Sequence, residues 1–336
     1  MLLRILPWWL PWTIAGGLAD TPAEAPGPAG MAVGRPGACV AWPATRRQMA
    51  HAKVVEAKTI DTTITFVASG GVVDLRLVSG EITVTGWDRP EVKIHAESED
   101  IPIRFEASAN RLSLESREVN RGEYRGEDVS FNLMVPQGTH VLMHSISGDL
   151  TARGVKGEVE ARTTSGTVQV QDAGGPTVLE SVSGDVTARS ISGPVRMQSI
   201  SGTVELTGVT GDVEVSTVSG DISIQDTHSK IVRTESVSGD LSYRGPIDPT
   251  GNYNFRSHSG DVTLHIPAAT QASVSLETFS GSVQSDFPLN VNAGGDDEYH
   301  HHAHFGHHID TKFGAGGGGA ELRVETFSGD ISIDRT

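Results

Sequence analysis

The chain has 336 residues, a formal net charge of −16, 39 glycines and only 5% aromatic side chains. This balance excludes a helical core built from large side chains, and no basic stripe offsets the acidity to suit a nucleic-acid partner. The single cysteine, Cys39, excludes an intrachain disulfide.

Residues 1–19 read as an export signal. Arg4 supplies the positive start, Ile5 to Ile14 is apolar, and Gly17-Leu18-Ala19 offers small residues before a cut ahead of Asp20. Pro7 and Pro11 sit poorly in a segment that should be helical, and Met31 and Met49 are alternative starts. The apolar run is too short to cross a bilayer, so no integral span is expected in the mature chain. Residues 20–52, with five prolines among Ala and Gly, have linker composition and are expected to be disordered.

Residues 53–140 switch to alternating strand patterns. Val73, Leu75 and Leu77 share one parity, and Ile103 to Phe105 with Leu112 to Leu114 form a hairpin around Asn110. Ser79-Gly80-Glu81 resembles the unit repeated later. This region is expected to be a β start module covering the first coil's exposed edge.

Residues 141–336 carry the repeats. From Gly148 to Gly220 a glycine falls every nine residues, while Ser-Gly pairs begin at 147, 165, 183, 201 and 219, so the full period is 18. Aliphatic residues at Val182, Val186, Ala188, Ile191, Val195, Met197 and Ile200 are spaced 4, 2, 3, 4, 2, 3. The twos are one-faced strands, and the threes are corners where parity slips to keep apolar groups inward. The fold expected is all-β: a two-faced parallel β-solenoid of the β-helix or β-roll kind, with 18-residue coils. An antiparallel meander would not place like residues side by side. In the solenoid, Leu150, Val168, Val186, Val204 and Ile222 form one inward ladder, and Val159, Thr177, Val195 and Val213 form another on the opposite face.

Beyond Gly239 the period lengthens. Residues 245–254 read as a corner insertion and 292–320 as a His/Gly-rich loop, before Thr326-Phe327-Ser328-Gly329-Asp330 restores the motif.

Few residues suggest chemistry. Ser-Gly-Asp recurs at 147, 183, 219, 238, 259 and 328, without the single base and orienting group that a nucleophilic serine needs. The expectation is structural: Gly at positive φ, with Ser or Asp bonding the turn. After each regular Ser-Gly the residue alternates, Asp149, Thr167, Asp185, Thr203, Asp221, and Thr is read as a spacer between carboxylates. The consecutive Asp221, Asp240 and Asp261 offer oxygen ligands to Ca²⁺, but the β-roll signature for that ion is absent. His300, His302, His304, His307 and His308, flanked by carboxylates, are candidate Zn²⁺ or Ni²⁺ ligands. No cofactor and no catalytic residue is expected.

Ser181-Val182-Ser183-Gly184-Asp185-Val186, its copies and Glu325-Thr326-Phe327-Ser328-Gly329-Asp330-Ile331 resemble the bacterial putative-adhesin family of β-strand-repeat proteins. The resemblance covers residues 53–336. It implies an exported, non-enzymatic protein at the periplasm, cell surface or exterior, with an envelope or surface component as partner. The outward row Thr151, Gln169, Thr187, Glu205 and Ser223 is the expected face for adhesion or assembly. The alternative function is a polysaccharide-active enzyme, which should show acid and base residues clustered on one face.

Overall fold

The computed structural model describes residues 53–66, 70–99, 101–116, 129–288, 307–313 and 319–336. The expected export signal, the linker, Cys39, and His300, His302 and His304 lie outside them.

Among the described residues every regular element is a strand. In chain order the first are β1 (Lys53–Ala57), β2 (Thr59–Thr65), β3 (Val72–Trp87), β4 (Glu91–Ser98), β5 (Ile103–Ala107), β6 (Arg111–Ser116), β7 (Val129–Pro136) and β8 (His140–Arg153). β3 and β8 run across a corner at Ser79-Gly80 and Ser147-Gly148, so each belongs to two faces. Downstream the faces separate into distinct strands. The first face takes β9 (Val159–Ser165), β11 (Thr177–Ser183), β13 (Val195–Ser201), β15 (Val213–Ser219), β17 (Ile231–Ser238) and β19 (Asn252–Ser259). The second takes β10 (Val168–Gln171), β12 (Val186–Ile191), β14 (Val204–Val209), β16 (Ile222–Gln225), β18 (Leu241–Arg244) and β20 (Val262–Ile266). All these neighbours pair in parallel, and through β16 the partner sits 18 residues away: Val168 opposite Leu150 and Val186, Thr177 opposite Val159 and Val195. The two-faced parallel solenoid and its 18-residue coil are borne out. Both expected inward ladders are buried.

The two corners differ physically. At the Ser-Gly corner Gly184 has φ 143°, and a Cβ there would lie 2.1 Å from Gly166 O in the coil below. At the other corner Gly193 has no such φ, yet its Cβ would lie 2.4 Å from Gly175 O. One glycine answers conformation and contact together; the other answers contact alone. The nine-residue beat therefore has two causes.

The reading of Val182 and Ile200 as interior residues is corrected. In β11 the inward parity runs Thr177, Leu179, Ser181, all buried, and leaves Val182 43% exposed. Ile200 is likewise outside, 51% exposed, and Ser199 is inside. At the opposite corner Ser190 adopts φ 57°, a left-handed turn that swings Ile191 into the core. The halves of the coil are thus not equivalent: one corner buries an aliphatic side chain, and the other buries a hydroxyl and exposes the aliphatic one.

Where the period lengthens, Tyr243, Tyr253 and Phe255 fill the interior, with ring centroids 5.4–6.1 Å apart. Tyr243 donates its hydroxyl hydrogen bond to Pro246 O at 2.8 Å, and Tyr253 donates to Ser229 O at 2.7 Å. The residues inserted after β18 supply the first of these acceptors, so larger core side chains and the longer corner belong together. Burial pushes both phenols above their ordinary pKa.

Chain order and spatial order diverge at both ends. β3 lies between β8 on one side and β6 with β7 on the other, all parallel to it. Antiparallel strands then close that end: β5 and β1 beyond β6, β4 and β2 beyond β7. The β5–β6 hairpin is as expected. At the other end come β21 (Ala272–Ser280), β22 (Val283–Ser285), β23 (His307–Phe313), β24 (Ala320–Ser328) and β25 (Ile331–Arg335). The coil β24–β25 is inserted between β19–β20 and β21–β22, and antiparallel β23 covers β21. Ser328 thus stacks on Ser259 and on Ser280 together.

Candidate binding faces

The recurrent Asp joins coils. Asp149 Oδ1 accepts the amide hydrogen of Thr167 at 2.8 Å, and Asp185 Oδ1 accepts that of Thr203 at 2.9 Å. Where Asp follows Asp the bond repeats: Asp221 accepts from Asp240 at 2.9 Å, Asp240 from Asp261 at 2.9 Å, and Asp261 from Asp330 at 2.8 Å. Asp330 then accepts the Ser282 amide at 2.7 Å and its hydroxyl at 3.0 Å, which hold its carboxyl below the usual range. An amide donor at each step offsets the repulsion between carboxylates about 4.8 Å apart. This row belongs to the scaffold.

The expected polar row on the second face is formed. Thr151, Gln169, Thr187, Glu205 and Ser223 occupy consecutive register positions, and the row continues through Ser242, Thr263 and Ser332. Beside it Arg189 bonds both carboxylate oxygens of Glu205 at 3.1 Å. The row is a flat, hydrogen-bonding surface at strand spacing.

The first face carries a feature that the sequence reading misplaced. The middle residue x of each Ser-x-Ser-Gly or Thr-x-Ser-Gly points outward, and in spatial order these are Ile146, Thr164, Val182, Ile200, Val218, Val237, His258, Phe327 and Phe279. The seven apolar members are 43–57% exposed. At the inserted coil the rings stack, His258 on Phe327 at 4.9 Å and Phe327 on Phe279 at 4.8 Å. Counting parity outward from Leu179 would have found this ridge, because Val182 is an odd step away.

A groove runs along the ridge. Its other wall is a charged row at the Glu180 position, and its floor is formed at the inner serines and threonines. The groove encloses about 830 Å³ beside Phe279 and Phe327, and about 360 Å³ beside Val182. Arg162 pairs with Glu180 at 3.1 Å and with Glu160 at 2.7 Å. Arg256 pairs with Glu325 at 2.9 Å, and Arg323 pairs with the same carboxylate.

Of the histidine candidates, His307 opens β23 and His308 is exposed at the groove's end. His308 Nε2 lies 3.2 Å from Asp310 and its Nδ1 4.0 Å from Glu277. A bond from Ser275 and the neighbouring His308 lower the Asp310 pKa. No group of three or more His, Cys, Asp or Glu among the described residues is arranged to hold a metal ion. No helix among the described residues is long and apolar enough to cross a membrane.

Comparison with known families finds one match: the Toastrack DUF4097 model covers residues 120–334. No curated protein matches the chain. Solved structures that resemble it include a putative cell adhesion protein from Clostridium sporogenes (11% identity, 83% of this chain and 100% of that chain, TM-score 0.21). A putative adhesin from Bacteroides fragilis matches at 12% identity over 82% of this chain and 97% of that one, TM-score 0.35. A putative adhesin from Parabacteroides distasonis matches at 13% over 65% and 91%, TM-score 0.33.

Proposed function

The chain belongs to the Toastrack DUF4097 family, and on that premise we propose that it is an exported, non-enzymatic scaffold of the cell envelope or surface that binds its partner along the polar second face. The observation that carries this reading is the unbroken row from Thr151 through Ser332. It presents hydroxyl, amide and carboxylate groups at a constant step, which suits an extended, hydroxyl-rich chain such as an envelope glycan better than a compact small molecule. Its backbone is held by the strand ladders, so only the side chains remain to be ordered on binding. The start module and the capping strands close the stack against end-to-end association and leave the faces as the surfaces to use. Cell fractionation with pull-down of envelope components by the full chain tests the proposal. A wholly cytosolic protein, or capture unchanged after Thr187→Lys and Ser223→Lys together, would overturn it.

A further inference from the structure

The Ser-x-Ser-Gly corner reverses the usual order of a protein surface. Ser181 and Ser199 are buried with no hydrogen-bond partner for their hydroxyls, while Val182 and Ile200 beside them face outward. Burying an unpaired hydroxyl is unfavourable, and an exposed aliphatic side chain contributes nothing in return. A lone solenoid would be better served by the opposite arrangement, yet the inversion recurs from coil to coil. A repeated violation of a local rule points to a requirement outside the monomer. The ridge leaves about half of each of seven apolar side chains exposed, which adds up to the few hundred Å² of apolar patch that a soluble monomer rarely exceeds. With the charged rows beside it, the face reaches about the 800 Å² per partner of a standard interface.

We propose that the occupant of this face is a second copy of the chain, packed face to face with its solenoid axis antiparallel. The two-fold axis lies along the strands at the coil of Ser216 and Val218. Two independent rows fit this arrangement. In the ridge, the end toward β8 is small and the end toward β21 is large. The two-fold sets Thr164 opposite Phe327 and Ile146 opposite Phe279, so bulk meets space. In the charged row it sets Glu180 opposite Arg256, Arg162 opposite Glu325, and His144 opposite Glu277. No like charges in that row face each other. A parallel dimer would instead set each ridge residue against itself, crowding Phe327 on Phe327 and leaving Thr164 against Thr164. This inference does not rest on the polar face, which lies on the other side of the solenoid and stays open in the dimer.

Sedimentation velocity on the full chain tests the proposal. The wild type should sediment as a dimer. Val218→Arg brings two cations together at the two-fold and should weaken association by about 100-fold or more, with the β-sheet circular dichroism of the folded chain retained. Arg162→Glu and Glu325→Arg should each weaken the dimer by about 10-fold, and the double variant should restore most of the loss. Within one chain these two residues are six coils, about 29 Å, apart. Restoration therefore reports a contact between copies. A wild type that stays monomeric overturns the proposal, whatever else the face then binds. So does a Val218→Arg variant that still dimerises, and so does a double variant that fails to recover.

Discussion

Gly184→Ala isolates what holds one coil on the next. The added Cβ would meet Gly166 O at 2.1 Å and its carbonyl carbon at 2.8 Å, both backbone atoms that no rotamer change can move aside. Ordinary contact begins near 3.4 Å, so the coils must part by about 1 Å. Two hydrogen bonds join these coils beside this point, Gly166 N to Ser183 O at 3.2 Å and Val168 N to Asp185 O at 2.9 Å. Weakening both costs about 2 kcal/mol. Holding alanine at φ 143° costs about 1–3 kcal/mol more. The sum, about 3–5 kcal/mol, should lower the melting temperature by about 6–20 °C. Gly208→Asn is the control. Gly208 also has positive φ, but nothing lies nearer than 3.6 Å, and Asp172, Ser190 and Asp226 take the same turn in other coils. That variant should melt within about 2 °C of the wild type. If Gly184→Ala melts there too, or Gly208→Asn falls as far, the close-approach argument fails.

Other outcomes follow from the same contacts. Asp330 has a carboxyl held below its unfolded pKa by Ser282, so its contribution is present above the unfolded value of about 3.9 and lost as pH falls through the folded value. Asp330→Asn should flatten that part of an acid-unfolding profile; an unchanged profile would count against the amide bond as its source. Replacing Thr167 and Thr203 with Asp makes an unbroken carboxylate row, adding about 1 kcal/mol of repulsion per new neighbour at low salt. The melting temperature should drop in dilute buffer and recover with salt, and no change in either refutes the spacer role. Calorimetry with Zn²⁺ addresses the histidine run. A site built with His308 should bind more tightly than a free polyhistidine peptide and lose affinity in His308→Ala, whereas equal affinities mean that no such site is built.

Much of the scaffold could be read without coordinates. The 18-residue period, the parallel stacking and the inward rows through Val186 and Val195 follow from glycine spacing and strand parity, which are local properties of the chain. The Ser-Gly-Asp corners were also readable as structure, although the amide that each Asp accepts lies one coil away and had no mark in the sequence. The outward ridge is hidden in the sequence because hydrophobicity and strand parity disagree at Val182 and Ile200. An aliphatic residue beside a corner fits the core by its chemistry, and only the direction of the strand decides otherwise. The order of the end coils lay wholly beyond sequence. Glu277-Thr278-Phe279-Ser280-Gly281 and Glu325-Thr326-Phe327-Ser328-Gly329 are the same five residues, so either copy satisfies β19 equally in register. A repeat determines how coils stack; it carries no information about which copy stacks on which. Tertiary structure made that choice, and by placing Phe327 between His258 and Phe279 it built the aromatic end of the ridge.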